Sequence, residues 1–342
     1  MERILVVLPN WYGETLFATP FLRALRQQRS DAFIATLGWP QCREVLLHSP
    51  HVNELIDYDE RCAHRGVAGK WRLIVALRAR RFDTAFILRK SLSRSLLLAS
   101  AGILARVGFD HPKSGWLLTR RVSPPAPAPH KAFSYLPLLE AIGLAAARHP
   151  YDYTVSAEER LAARALLKTT PLVSGRPMIM LHPGANWRHK RWPPERFAAL
   201  GDRLAERTQS QIVITGGRDD AALGEAVARR MRQPVAMLAG LTTLRQLGAC
   251  LEQARLVVAG DTGVLHIAAA LHRPVVGLYG PTAPAFTGPL GDPRRTAIIH
   301  HADCCPHIPC YAPEHPVHPG MEAIAVDEVY QAAAELLNSV TQ

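Results

Sequence analysis

The feature that most constrains this chain is an alternation of short apolar runs with helix-period segments, carried through twice. In the first half, runs at 4–8, 33–37, 54–56 and 84–88 alternate with helical patterns at 15–27, 42–48, 70–79, 93–101 and 132–142. In the second half, runs at 178–181, 211–215, 235–238, 256–259 and 275–278 alternate with helical patterns at 194–207, 220–231, 243–253, 263–270 and 326–339. In the first helix Phe17, Phe21, Ala24 and Leu25 form the stripe that packs on a sheet. Strands alternating with helices make βαβ units and a parallel sheet. The pattern therefore predicts an α/β chain of two doubly wound, Rossmann-like domains facing across a cleft. A length of 342 residues also suits two domains. In such sheets ligands bind beyond the carboxyl ends of the strands.

The pattern breaks twice. Residues 123–129 form a proline-rich loop. Between 151 and 177 a charged helix at 157–167 is followed by a stretch rich in Thr, Pro and Gly. The predicted domains are 1–155 and 175–322, with a last helical segment at 323–342.

The formal charge of +11 favours anionic partners, namely nucleic acid, an anionic membrane surface or phosphorylated substrates. The arginines are scattered, and there is no RNP motif, zinc finger or basic heptad region, so nucleic acid is not an expected partner. No run reaches the ~18 apolar residues of a membrane span. The nearest, 95–105, is closed by Arg94 and Arg106. The chain opens with Glu2 and Arg3 and enters a strand-like run directly, unlike a secretory signal, so the expected location is the cytoplasm. The six cysteines are then expected as thiols. Cys304, Cys305 and Cys310 with His315 and His318 could ligate a metal, but their spacing is not that of paired C-x-x-C elements, and the favoured reading is a loop with no metal.

Three stretches carry candidate chemistry. The stretch 257–282, "VVAGDTGVLHIAAALHRPVVGLYGPT", places Gly260, Asp261, Thr262 and Gly263 between a strand and a helix. Thr262 or Asp261 can cap that helix, and its free N–H groups form a seat for a diphosphate. His266 lies one turn in, on the same face. Capping alone would also account for this turn. The stretch 181–197, "LHPGANWRHKRWPPERF", puts Lys190 near the end of another strand, where its ammonium can neutralise a diphosphate. Trp192 is either part of that element or a packing anchor. The third stretch, "LPNWYGETLFATPFLRAL" at 8–25, sets Glu14 at a strand–helix turn. It is either a helix-start charge worth about 0.3–1 kcal/mol or a general base. Asn10 and Gly13 would let a substrate approach the backbone closely. The sequence contains no G-x-G, no G-x-x-x-x-G-K-[ST], no H-E-x-x-H and no G-x-S-x-G, which argues against dehydrogenase and P-loop chemistry.

In this order the three stretches resemble the ADP-heptose–lipopolysaccharide heptosyltransferase family, inverting, GT-B-fold glycosyltransferases. The likeness spans nearly the whole chain. It is nearest to the second-heptose transferases (heptosyltransferase II) through "LRKSLSRSLLLASAGILARVGF" and Gly115-Trp116. The resemblance implies that Glu14 is the catalytic base and that Lys190 holds the donor phosphates. Asp261, Thr262, Gly263 and His266 would complete the nucleotide-sugar site, with Asn186 where members commonly have Thr or Ser. Glu14 stands where the family usually has Asp, and its extra methylene moves the carboxylate by about 1.5 Å. Either Asp219 or Asp220 would meet the adenosine ribose. Acceptor contacts fall to Asn10, Gly13, Arg89, Lys90 and Arg94, with Lys113, Arg120 and Arg121 as further cations for the acceptor's phosphates or carboxylates, and a solvated basic face is an equal reading of all six cations. The partners implied are ADP-heptose, an anionic lipid A–core acceptor and the inner face of the inner membrane, with no cofactor and no metal. The final helix would pack back on the first domain. A related transferase using another nucleotide sugar, or a non-catalytic protein of this fold, stays open on sequence alone.

Overall fold

Strand β1 (Arg3–Val7) is buried along its length from Ile4, as a strand covered by helices on both faces must be. The computed structural model describes residues 1–126, 129–173, 175–304, 308–310 and 317–339. The chain divides into two units, Met1–Thr154 and Val155–Gln342.

In the first unit β1 is joined by β2 (Phe33–Gly38), β3 (Glu54–Asp57), β4 (Thr84–Ile87), β5 (Ala105–Phe109) and β6 (Arg120–Val122). The sheet order is β3-β2-β1-β4-β5-β6, and every neighbouring pair is parallel. Growth reverses between β1 and β4, which opens a crevice beyond their carboxyl ends. The helices are α1 (Tyr12–Phe17), α2 (Thr19–Gln28), α3 (Pro40–Leu46), α4 (Gly66–Ala79), α5 (Leu92–Ser100) and the short α6 (Pro137–Glu140). Phe21 of α2 packs edge-on against Phe86 of β4 at 5.3 Å.

The second unit repeats this topology. Its strands are β7 (Met178–His182), β8 (Gln211–Ile214), β9 (Val235–Met237), β10 (Leu256–Gly260), β11 (Val275–Tyr279) and β12 (Thr296–His300). Their order is β12-β11-β10-β7-β8-β9, again wholly parallel, so the reversal lies between β7 and β10. The helices are α7 (Ala157–Lys168), α8 (Pro194–Thr208), α9 (Ala221–Ala228), α10 (Leu244–Leu251), α11 (Gly263–Ala270), α12 (Pro284–Thr287), α13 (Pro319–Ala323) and α14 (Val326–Ser339).

Several elements differ from the sequence reading. The helix expected at 15–27 is two, α1 and α2, broken at Ala18 with Pro20 in the first turn of α2. The pattern at 132–142 yields a 3-10 turn, Lys131–Phe133, and α6, which begins at Pro137. Strands β5, β6 and β12 were not anticipated. Arg106 interrupts the apolar run of β5, and Arg120 and Arg121 make up most of the three-residue β6. The charged helix α7 belongs to the second unit: Glu159 closes a capping box with Ser156 and grips Arg245 of α10, Nε donating at 2.7 Å. The expected packing of the last helix on the first domain is corrected. Val329, Ala333, Leu336 and Leu337 of α14 join the core of the second unit with Phe197, Leu200 and Leu204 of α8.

Candidate active site

The reversal point of the second sheet collects most of the predicted donor residues. Strand β10 ends at Gly260 and passes through Asp261 and Thr262 into α11. Strand β7 leads through Gly184 to the 3-10 turn Arg188–Lys190. That turn lies directly on β10: a Cβ at Gly260 would stand 2.8 Å from the Lys190 carbonyl oxygen, so no larger residue fits without moving the turn. Trp192 anchors the turn from below. It is 1% exposed, stacks edge-on against Phe197 at 5.0 Å and donates its indole N–H to the Ile324 carbonyl at 3.1 Å. Of the two roles open to Trp192, packing anchor is the one it fills.

Lys190 Nζ donates to Asp261 Oδ2 at 2.7 Å and to the Asp261 carbonyl at 3.3 Å. The same Oδ2 accepts from Thr282 Oγ1 at 2.7 Å and from Thr287 Oγ1 at 3.2 Å. Oδ1 lies 3.3 Å from Nε2 of the buried His266. Burial alone would raise the Asp261 pKa. The His266 hydrogen bond and the Lys190 charge outweigh it and hold Asp261 well below the usual carboxylate range. A lysine has three donors, and two are engaged here, so one remains for a ligand oxygen.

Thr262 occupies the N-cap of α11 with extended backbone but makes no side-chain cap, contrary to the expectation that it or Asp261 would. Its hydroxyl is buried and has no hydrogen-bond partner among the described residues. With the amides of the first turn it forms an oxyanion seat beside Lys190. Thr282 and Thr287 were not singled out from sequence as site residues. Thr282 sits in the Gly-Pro-Thr turn after β11, which was a signal. Thr287 gave none, because α12 must fold under Asp261 before it counts.

Asp220 is tied between the ends of β7 and β8. A Cβ on Gly184 would meet its carboxylate at 2.3 Å, and one on Gly216 its Cβ at 2.8 Å. The carboxylate accepts from the Gly217 N–H at 3.2 Å and from Arg191 at 3.4 Å. His182 beneath it hydrogen-bonds Thr215 at 3.0 Å, and burial, partly offset by Asp220, pushes its pKa down to about 4. Asn186 is exposed on the same loop.

The first unit holds a second set at its own reversal point. Glu14 lies half-buried in the first turn of α1, and its carboxylate takes no hydrogen bond or ion pair among the described residues. Burial, then the Glu14 charge, push the Tyr135 hydroxyl pKa up. Gly13 precedes Glu14 in the same turn. Arg94 is not a surface cation. It is 2% exposed, and its guanidinium donates to the Leu8 carbonyl and to Asn10 Oδ1, both at 2.6 Å. It therefore braces the loop between β1 and α1, and Asn10 is buried with it. Arg89 and Lys90, at the end of β4, are exposed. Of the terminal cluster, Cys304 is exposed and Cys310 and His318 are buried, while Cys305 and His315 lie outside the described residues. Among the described residues no three His, Cys, Asp or Glu side chains gather as metal ligands. No helix is long and apolar enough to cross a membrane.

Comparison with known proteins gives the family and the fold. The family model described as glycosyltransferase family 9 (heptosyltransferase) matches residues 70–317. Lipopolysaccharide heptosyltransferase 2 of Escherichia coli K12 is 30% identical over 302 residues, covering 86% of this chain and 87% of that protein. Lipooligosaccharide heptosyltransferase 2 of Haemophilus influenzae is 28% identical over 300 residues, covering 84% and 86%. The solved structure of E. coli ADP-heptose lps heptosyltransferase II superposes with a TM-score of 0.84 at 27% identity over 100% of both chains. The glycosyl transferase family 9 structure from Veillonella parvula superposes at 0.88 with 23% identity over 98% and 97%, a likeness of fold.

Proposed function

The chain belongs to glycosyltransferase family 9, the heptosyltransferases, with the GT-B fold, and on that premise we propose that it moves heptose from ADP-heptose to the inner core of lipopolysaccharide, on a lipid A–Kdo acceptor. The observation that carries this reading is the cluster at the end of β10. A lysine held at 2.7 Å by a buried aspartate stands beside an uncapped helix start with an unpartnered threonine hydroxyl. That is a held set of hydrogen-bond donors for a leaving diphosphate, and such preorganised donors stabilise a transition state in which negative charge grows.

In the proposed reaction the second unit holds the donor. The third N–H of Lys190 and the first amides of α11 take the diphosphate oxygens, with Thr262, Gly263 and His266 completing the site. Asp261 acts behind them by holding Lys190 in place. Asn186 faces the donor from its exposed loop. The acceptor hydroxyl gives its proton to Glu14. Its oxygen attacks the anomeric carbon opposite the diphosphate, the bond to ADP breaks, and the configuration inverts. The ammonium and the helix start supply the charge that a metal supplies elsewhere, so the proposed reaction is metal-independent. The excess of basic residues suits a peripheral enzyme on the cytoplasmic, inner face of the inner membrane.

The test is a transfer assay with ADP-heptose and defined truncated cores, following ADP release and the anomeric configuration of the product. Heptosylated core with inverted configuration is expected. Activity with UDP- or GDP-sugars and none with ADP-heptose would refute the donor assignment.

A further inference from the structure

Beyond the ends of β4 and β5 the first unit has a narrow cleft of about 10 Å³, lined by Arg89, Lys90, Ser91, Ser95 and Ser114 among others. That volume admits roughly one oxygen-sized group. Three kinds of donor reach it from three elements. Arg89 and Lys90 come from the end of β4, and both are exposed with no hydrogen bond or ion pair among the described residues. Ser91, the N-cap of the nine-residue α5, also lines the cleft, and next to it the amides of Leu92 and Ser93 have no partner among the described residues. The third donor is Ser114, in the loop after β5. It is 3% exposed, makes no side-chain cap, and its hydroxyl takes no hydrogen bond among the described residues. Ser95 in the same cleft differs, since its hydroxyl donates to the Ser91 carbonyl at 2.9 Å. The Ser114 hydroxyl and the two exposed cations are therefore free to take an oxygen in the cleft.

We propose that this cleft is the subsite for a phosphate monoester on the acceptor, with one phosphoryl oxygen seated beside Ser114 and the others facing Arg89, Lys90 and the amides of α5. The assignment rests on the reading of the acceptor as an anionic glycolipid and narrows it. A carboxylate offers two oxygens in one plane. Donors arriving from a strand end, a helix start and a loop fit the three terminal oxygens of a phosphoryl group better. Arg94 lies behind the cleft and stays with Leu8 and Asn10, so it takes no part in binding the anion.

The experiment uses the full chain saturated with ADP. A deacylated, phosphorylated lipid A–core fragment and the same fragment after phosphatase treatment are titrated by calorimetry. The phosphorylated fragment should bind at least about 10-fold more tightly, the worth of one charge-assisted hydrogen bond. Arg89→Gln/Lys90→Gln, at exposed positions that leave the fold alone, should erase the difference, and Ser114→Ala should shrink it. Equal affinity for the two fragments, or a difference that survives Arg89→Gln/Lys90→Gln, overturns the proposal. So does inorganic phosphate binding as tightly as the phosphorylated fragment, which would make the site one for free phosphate. Transfer is measured alongside. Absent transfer to both fragments with the affinity difference intact would sink the heptosyl-transfer reading and leave the subsite standing.

Discussion

Lys190 is assigned two tasks, neutralising Asp261 and holding a donor phosphate, and a pair of variants separates them. Lys190→Met removes the ammonium but keeps the stem. It strands Asp261, whose side chain is 6% exposed. Removing one partner of a buried pair costs about 3–5 kcal/mol. The cost here falls at the low end, because Lys190 is 20% exposed and Thr282, Thr287 and His266 still surround the carboxylate. The single variant also loses a charge-assisted hydrogen bond to the diphosphate, about 1.5–3 kcal/mol, which weakens ADP binding roughly 10- to 150-fold. Lys190→Met/Asp261→Asn then removes the stranded charge. Denaturant titration should show most of the stability restored. Calorimetry at a temperature where every variant is folded should show ADP binding still weakened by the same factor. If the double variant binds ADP like the unmodified chain, Lys190 is only the counter-ion of Asp261, and the phosphate role is wrong.

Asp261 titrates below its unfolded value of about 3.9, so its contribution to stability is fully present above that pH and is lost as pH falls below it toward the depressed folded value. Urea titrations at pH 5 and pH 3 should therefore show a larger loss for the unmodified chain than for Asp261→Asn, and equal losses would remove the linkage. Gly260→Ala drives a methyl into the Lys190 carbonyl at 2.8 Å. It should cost about 1–3 kcal/mol and weaken ADP binding with it, whereas an unshifted dissociation constant would show that the turn does not set the lysine. Arg94→Met leaves the Leu8 and Asn10 oxygens unpaired, at about 1–3 kcal/mol each. It should lower kcat through the loop that carries Glu14 while leaving the acceptor KM nearly unchanged, and a change confined to KM would return Arg94 to the acceptor surface.

What could be read in advance follows from burial. The central strands β1, β4, β7, β10 and β11 are short apolar runs because helices cover both faces, and each stood out. Of the edge strands, β3 and β9 stood out as well, while β6, only three residues with two arginines, and β12, past the last regular alternation, did not, and neither did the internal β5, which Arg106 interrupts. Asp261, Lys190 and His266 were legible because they flank glycine turns at strand ends, where this topology places ligands. The position of Arg94 was not. In α5 Leu92 and Leu96 are about half exposed while Arg94 and Ser95 are buried, the reverse of what hydrophobicity suggests. The oxygens of the β1–α1 loop that it pairs, the Tyr58 ring it lies over at 5.6 Å and Glu60 at 3.8 Å explain why an arginine belongs there. Thr287 and the cage around Asp220 depend on loops meeting in space, and no local pattern encodes that.

The most direct measurement compares Glu14→Gln with the unmodified chain in two assays run side by side, heptose transfer from ADP-heptose and calorimetric ADP binding. Losing a general base should cost about 10²- to 10⁴-fold in rate, with the ADP dissociation constant unchanged because Glu14 belongs to the other unit. Transfer at the unmodified rate would contradict the account, since no carboxylate at the start of α1 would then be taking the proton.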